Sequence, residues 1–196
     1  MLSAADNETL TRTDAGTSMG QYFRRFWQPV ALSRELPEPD GAPLRVTIMG
    51  ENLVAFRNSK GVVGLVDARC PHRGADLYFG RNENCAIRCV FHGWQFDLQG
   101  RPLELPNVPP EASYHQSLRL KAYPTREYGD VVWAYMGPDP WTKPLPEVPQ
   151  LEFGSLPATH RFVTKKLQEC NWAQSIEGAL DTSHFSFLHM PAPSVP

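Results

Sequence analysis

The 196 residues predict a mainly β fold, a small antiparallel β sandwich over residues 29–140, followed by the start of an α+β unit. Three observations point there. Between Arg45 and Tyr135, short apolar runs alternate with turns built on glycine, asparagine and aspartate, the spacing of an antiparallel sheet protein. Pro138, Pro140, Pro144, Pro146, Pro149 and Pro157 then crowd a stretch that neither a central strand nor a helix interior tolerates. Beyond them, residues from about Asn171 to Leu188 read as a helix that Pro191 and Pro193 forbid from continuing.

Taken in order, residues 1–16 are polar and mixed and read as a loose arm. Met19, Tyr22, Phe23, Phe26 and Trp27 lie at helical spacing, and Pro29 is expected to end that helix, so residues 1–28 form an arm and a helix. Val46-Thr47-Ile48 and Leu53-Val54-Ala55-Phe56 flank Gly50-Glu51-Asn52 and predict a hairpin. Val62 to Val66 is a further apolar run, and Trp94-Gln95-Phe96 alternates before a turn at Gln99-Gly100. Leu118-Arg119-Leu120 and Val131-Val132-Trp133 flank a turn at Tyr128-Gly129-Asp130, with Trp133 and Tyr135 expected in the core. Residues 141–160 read as a stiff proline-rich linker. Arg161-Phe162-Val163 is β-like, and residues 161–196 read as the incomplete start of a second domain.

Composition narrows the function. A formal net charge of -2 and the lack of any run of like charges argue against a nucleic-acid partner. No stretch of 18 apolar residues exists, so no transmembrane helix is expected, and the N-terminus has no apolar signal core, so a cytoplasmic location is expected. The four cysteines are Cys70, Cys85, Cys89 and Cys170, and two of them stand beside histidines. In a cytosolic chain that pattern favours metal over disulfide.

The metal motif is Cys70-Pro71-His72-Arg73-Gly74 and Cys89-Val90-Phe91-His92-Gly93-Trp94, that is C-x-H, sixteen residues, then C-x-x-H. A Rieske [2Fe–2S] cluster needs two thiolates on one iron and two imidazoles on the other. Two tight loops, each supplying one Cys and one His, meet that demand, and Gly74 and Gly93 sit where the backbone must bend around metal. Neutral imidazoles leave the cluster less negative than four thiolates would, which raises its potential. The alternative is a structural zinc site, but zinc pairs usually run C-x₂₋₄-C and H-x₃₋₅-H rather than mixing Cys with His in each loop. Cys85 reads as a partly buried free thiol, Cys170 as a buried one, and His115 and His160 as lone surface histidines. Arg73 and Trp94 flank the cluster and could shape a partner contact or shield it from water.

C-P-H-R-G together with C-x-F-H-G-W-x-F resembles the Rieske domain of aromatic ring-hydroxylating oxygenases. Respiratory-chain Rieske proteins carry an extra cysteine in each loop, where this chain has Ala75 and Phe91, so their disulfide is not expected.

A second motif lies in Asn171-Trp172-Ala173-Gln174, continuing through Glu177, Gly178, Asp181, His184 and His189. Two histidines plus one carboxylate define a mononuclear iron site with positions open for oxygen and substrate. His184 and His189 are the candidate ligands, and the third, an Asp or Glu, is expected beyond Pro196. The alternative is an amphipathic helix with chance histidines. At about 100° per residue, His184 and His189 would diverge by about 140° on a regular helix, so a π-bulge or break is expected between Ser183 and Leu188. Asp181, three residues before His184, is placed to hold its second ring nitrogen.

N-W-x-Q-x-x-E-G-x-x-D-x-S-H is similar to the phthalate dioxygenase-like branch of the Rieske non-haem iron oxygenase alpha subunits, and the likeness runs from Met19 to His189. The resemblance implies that Asn171 and Gln174 lie near the iron and that Asp181 reaches His72 or His92 of the partner subunit, coupling the two centres. It implies electrons from NAD(P)H through a separate ferredoxin or flavin reductase, passing by the cluster to a mononuclear Fe(II) that activates O₂. The product would be a hydroxylated or demethylated aromatic compound, and the assembly a homotrimer or stacked trimers. The competing reading is an electron-carrying Rieske module without oxygenase activity, since the third ligand is not among these residues and the 196 residues alone are not expected to oxygenate.

Overall fold

The computed structural model describes residues 2–109, 111–112 and 117–190. His115 and Pro191 onward lie outside them. Among the described residues, eleven strands form antiparallel sheets. The first sheet joins β1 (Trp27–Leu32), β11 (Val131–Tyr135) and β10 (Thr125–Tyr128) in that spatial order. The second joins β2 (Leu44–Ile48), β3 (Glu51–Arg57), β4 (Val63–Asp67) and β9 (Ala122–Tyr123). The third joins β5 (Arg81–Glu83), β6 (Ala86–Arg88), β7 (Gln95–Phe96) and β8 (Pro102–Glu104).

Hairpin chemistry sets the registers. The β2–β3 turn is Met49-Gly50, β5–β6 turns at Asn84-Cys85, and β10–β11 turns at Gly129-Asp130. Both turn residues have positive φ in each case, from 46° to 76°. Two-residue loops of this kind match the twist of the flanking strands. Cys85 is thus a hairpin corner at the half-buried level expected of it.

Two groups of buried side chains fill the sandwich. One packs Ala31, Leu53, Leu65 and Val132 between the first two sheets. The other packs Val54, Phe56, Val66, Ile87 and Phe96 between the second and third, and both Cys70 and Cys89 belong to it. Residues of one strand, Leu53 against Val54, serve opposite faces, as a period of two requires. Full burial of a side chain such as Phe56 or Ile87 contributes about 1.5–3 kcal/mol.

Several expectations need correction. Residues 1–16 hold a helix, α1 (Ala4–Thr11), capped by Ser3, although none of its residues is buried. The next helix, α2 (Ser18–Phe23), stops before Phe26, and Trp27 and Pro29 belong to β1. Pro29 sits where the β1–β11 register shifts, a bulge that spares the ladder its missing donor. The strand expected at Leu118-Arg119-Leu120 forms instead at β9, and Arg161-Phe162-Val163 forms none. The proline-rich stretch folds back on the first sheet. Leu145, Val148 and Phe153 pack on Trp27 and Trp133, and Trp27 Nε1 donates to Pro146 O at 2.9 Å. It includes a one-turn helix, α3 (Glu152–Ser155). Cys170 is exposed, not buried. The final helical stretch is split into α4 (Trp172–Leu180) and α5 (Phe185–Leu188). No helix among the described residues is long and apolar enough to cross a membrane.

Candidate metal centres

The two cysteine–histidine loops share one backbone design. Cys70 N donates to Ala75 O at 2.9 Å and Gly74 N to Cys70 O at 2.8 Å. Cys89 N donates to Trp94 O at 2.8 Å and Gly93 N to Cys89 O at 3.0 Å. Each cysteine is therefore bonded to the residues four and five further on, which folds the intervening chain into a knuckle. Gly74 and Gly93 close the knuckles with φ of +71° and +73°, a region that costs other residues about 1–2 kcal/mol. The shared geometry explains why each loop needs glycine four residues after cysteine.

The knuckles point two sulfurs inward and two imidazoles outward. Cys70 and Cys89 are 2% and 3% exposed, while His72 and His92 are only half-buried. The His72 and His92 rings lie 4.5 Å apart between centroids, at 66°. The indole of Trp94 stacks on His72 at 4.3 Å and 7°, and Phe91 leans on His92 at 4.0 Å. Trp94 is held in place by donating from Nε1 to Asn107 Oδ1 at 2.6 Å. Its role as a water shield thus has a geometric basis, and Asn107 is a support that no sequence pattern announced.

The donor set fits a [2Fe–2S] cluster. Burial pushes the Cys70 thiol up to about 11, against the amides of His72 and Arg73, which donate to its sulfur and favour the thiolate. A bound iron supplies the positive charge that such a buried thiolate lacks. Desolvation, then the charges of His92 and Arg73, push His72 below the ordinary imidazole range, toward the neutral form that binds metal. Among the described residues no three ligating side chains converge on one point. A two-iron cluster takes two protein ligands per iron, and the inward cysteine pair and outward histidine pair match that division. The four cysteines are free.

At the second motif, Asp181, His184 and His189 come together. The His184 and His189 rings are 5.2 Å apart at 57°, and Asp181 Oδ2 lies 3.3 Å from His184 Nδ1. The chain leaves helical geometry at Asp181 and Thr182, earlier than the expected break between Ser183 and Leu188, and His189 then leaves α5 as its C-cap. The break at Asp181 and Thr182 precedes both histidines and leaves their angular relation untouched; Phe185–Leu188 between them is an unbroken turn, so the break expected within Ser183–Leu188 is not found. The other oxygen of Asp181 accepts from the Ser183 amide at 2.8 Å and hydroxyl at 2.6 Å. Those bonds, with His184, hold its carboxyl below the usual range.

Asn171 and Gln174 stand in the first turn of α4, about 15 Å and about 10 Å from Asp181 along the axis at 1.5 Å per residue. They form a capping box: Asn171 Oδ1 accepts from Ala173 N at 3.0 Å, and Gln174 Oε1 accepts from Asn171 N at 3.3 Å. Asn171 Nδ2 also donates to Thr11 O at 3.0 Å, and Trp172 meets Phe23 edge-on at 4.9 Å, so α1 and α2 carry the start of α4.

Comparison with known proteins agrees with this chemistry. The profile of the Rieske [2Fe-2S] domain matches residues 26–124. The 3-chlorobenzoate-3,4-dioxygenase oxygenase subunit of Comamonas testosteroni is 46% identical over 97% of this chain and 43% of its own length. The phthalate 4,5-dioxygenase oxygenase subunit of Pseudomonas putida is 42% identical over 96% of this chain and 42% of its own. A crystal structure of dicamba monooxygenase with non-heme iron and dicamba superposes with a TM-score of 0.52 at 32% identity, over 62% of this chain and 36% of that one. The chain spans less than half the length of these relatives.

Proposed function

The chain belongs to the Rieske [2Fe–2S] domain family, and from that premise we propose that it forms the electron-receiving part of a Rieske non-haem iron oxygenase. The observation that supports this best is the meeting of His184 and His189 with Asp181 on one ring nitrogen, in a chain that also holds the cluster loops. When bound, the cluster supplies one-electron transfer and a mononuclear Fe(II) supplies O₂ activation for hydroxylating or demethylating an aromatic compound.

The protein's part is positional. Cys70 and Cys89 would hold the cluster from the core side, and His72 and His92 would hold it at the surface. Trp94 keeps water from the His72 ring face. Asp181 holds the proton on His184 Nδ1, which leaves Nε2 free for metal and fixes the ring's direction. His189 supplies the second imidazole, and a distal Asp or Glu outside residues 171–189 completes the set. Asn171 and Gln174 act by fixing the start of α4.

The same reading brings NAD(P)H through a separate ferredoxin or flavin reductase, a homotrimer or stacked trimers, and a cytoplasmic location. Asp181 would reach His72 or His92 of the partner subunit to couple the two irons. It divides the chain into an N-terminal segment to residue 28, a cluster domain over 29–140, a linker over 141–160 and the iron domain from 161. Relatives named as oxygenase subunits match 96–97% of the chain, a share too large to leave out most of the 171–189 segment, which a separate electron carrier would not need. In the oxygenase that contains this chain, His184→Ala should leave the cluster and its paramagnetic resonance signal intact and abolish NADH- and O₂-dependent product formation. Product formed at an unchanged rate would refute the proposal.

A further inference from the structure

An arginine precedes the cysteine of each cluster loop, and each turns back on its own loop. Arg69 Nη1 donates to Gly74 O at 3.3 Å, and Arg88 Nη1 donates to Gly93 O at 2.8 Å. In both cases the acceptor is the carbonyl of the glycine four residues after cysteine. Arg88 is therefore tied to its loop twice, covalently to Cys89 and by this bond to the residue after His92. The two arginines differ in their surroundings. Arg69 is exposed, whereas the Arg88 side chain is 11% exposed. It donates from Nε to Glu83 Oε1 at 2.5 Å and pairs through Nη1 with Glu104 Oε2 at 2.9 Å. Glu83 is braced in turn, its carbonyl accepting from buried Gln95 at 3.2 Å. Strands β5, β6, β7 and β8 place these groups side by side, since Arg88 pairs with Gln95 and Gln95 with Glu104.

We propose that Arg88 is a positioning residue for the cluster: gripped by Glu83 and Glu104, its guanidinium fixes the Cys89–Gly93 loop and sets the cluster's reduction potential. The inference rests on the Rieske cluster alone and is independent of any oxygenase activity. Its physical basis is twofold. A planar guanidinium holds its donors in a rigid fork, so Nε and Nη1 meet two carboxylates and a carbonyl in fixed directions, whereas an ammonium is a rotatable point charge and an amide carries no charge. A half-dry positive charge next to a cluster ligand also stabilises the reduced, more negative cluster, and a poorly solvated charge is weakly screened.

The test is a potentiometric titration of the cluster-loaded chain followed by paramagnetic resonance. Arg88→Gln should lower the reduced-to-oxidised ratio at a fixed poise about tenfold, which is about 59 mV for a one-electron couple. Arg88→Lys keeps the charge, so its ratio should stay within about threefold of the parent, while its resonance positions shift because the Gly93 contact is lost. Arg69→Gln removes an equal but exposed charge and should move the ratio by less than half as much on the logarithmic scale. A cluster held by Arg88→Gln with unchanged potential and resonance positions would overturn the proposal, as would an equal shift for Arg69→Gln. Should Arg88→Gln not retain its cluster, Glu104→Gln decides. That carboxylate is 57% exposed, so the fold should tolerate its loss, and removing it should raise the ratio by about threefold. An unchanged ratio there would overturn the proposal.

Discussion

The two knuckle glycines offer a controlled test of what holds the cluster loops. Both have positive φ, +71° at Gly74 and +73° at Gly93, so alanine meets the same backbone penalty, about 1–2 kcal/mol, at each. Their surroundings differ. A Cβ at Gly74 meets nothing within 4 Å, whereas one at Gly93 comes to 3.3 Å from Pro106 Cγ. Pro106 is not free to yield. It lies between Leu105, 5% exposed in the cluster-side core, and Asn107, which anchors Trp94. Overpacking of this kind adds about 1 kcal/mol or more. Gly74→Ala should therefore cost about 1–2 kcal/mol and Gly93→Ala about 2–3 kcal/mol. The assay is the guanidinium midpoint of the iron-free chain by tryptophan fluorescence, paired with the rate of cluster bleaching in the loaded chain. Gly93→Ala should unfold earlier, and it alone should perturb the Trp94 signal. Equal midpoints, or a larger loss for Gly74→Ala, would refute the reasoning that Pro106 and Asn107 transmit the strain.

Other consequences are simpler. Cys89→Ser should abolish the cluster, because a hydroxyl is a poor replacement for an iron-bound thiolate; iron and sulfide analysis reads this directly. Trp94→Phe keeps a ring over His72 but strands Asn107 Oδ1, and should cost about 1–2 kcal/mol in the same unfolding assay. Glu51 should make the fold acid-sensitive. Burial pushes its carboxyl up, but bonds from Lys121, Tyr123 and Arg24 together hold it below the ordinary 4.5. Because the folded value is the lower one, this stabilisation is complete above about pH 4.5 and is lost as the pH falls through the folded value. Glu51→Gln should flatten that acid limb in guanidinium midpoints measured between about pH 6 and pH 3, and an unaltered limb would count against it. In the oxygenase that contains this chain, Asp181→Asn should leave the cluster reducible and slow its reoxidation in rapid-mixing experiments; an unchanged rate with full iron content would exclude a coupling role.

The sequence alone determined the chemistry of the first site. Its ligand types, their order and the glycines beside them are local facts, and each knuckle is folded by hydrogen bonds that span no more than five residues. The hairpins were legible for the same reason, since a two-residue turn is a property of its own residues. The failures share a cause as well. Trp27 and Pro29 continue a helical apolar spacing, yet they pair with β11 more than a hundred residues away, and that partner decides their state. That the proline-rich stretch packs on Trp27 and Trp133 is likewise set by residues far from it in sequence. The helix ends at Asp181, whose side chain bonds Ser183 and His184 instead of letting it run on, whereas the 140° between His184 and His189 pointed to a break further along that the structure does not contain. Tertiary structure alone decided what surrounds the cluster. The stacking of Trp94 on His72, the Asn107 anchor and the grip of Glu83 and Glu104 on Arg88 join separate strands and loops, and no local pattern encodes the meeting of side chains that only sheet register brings together.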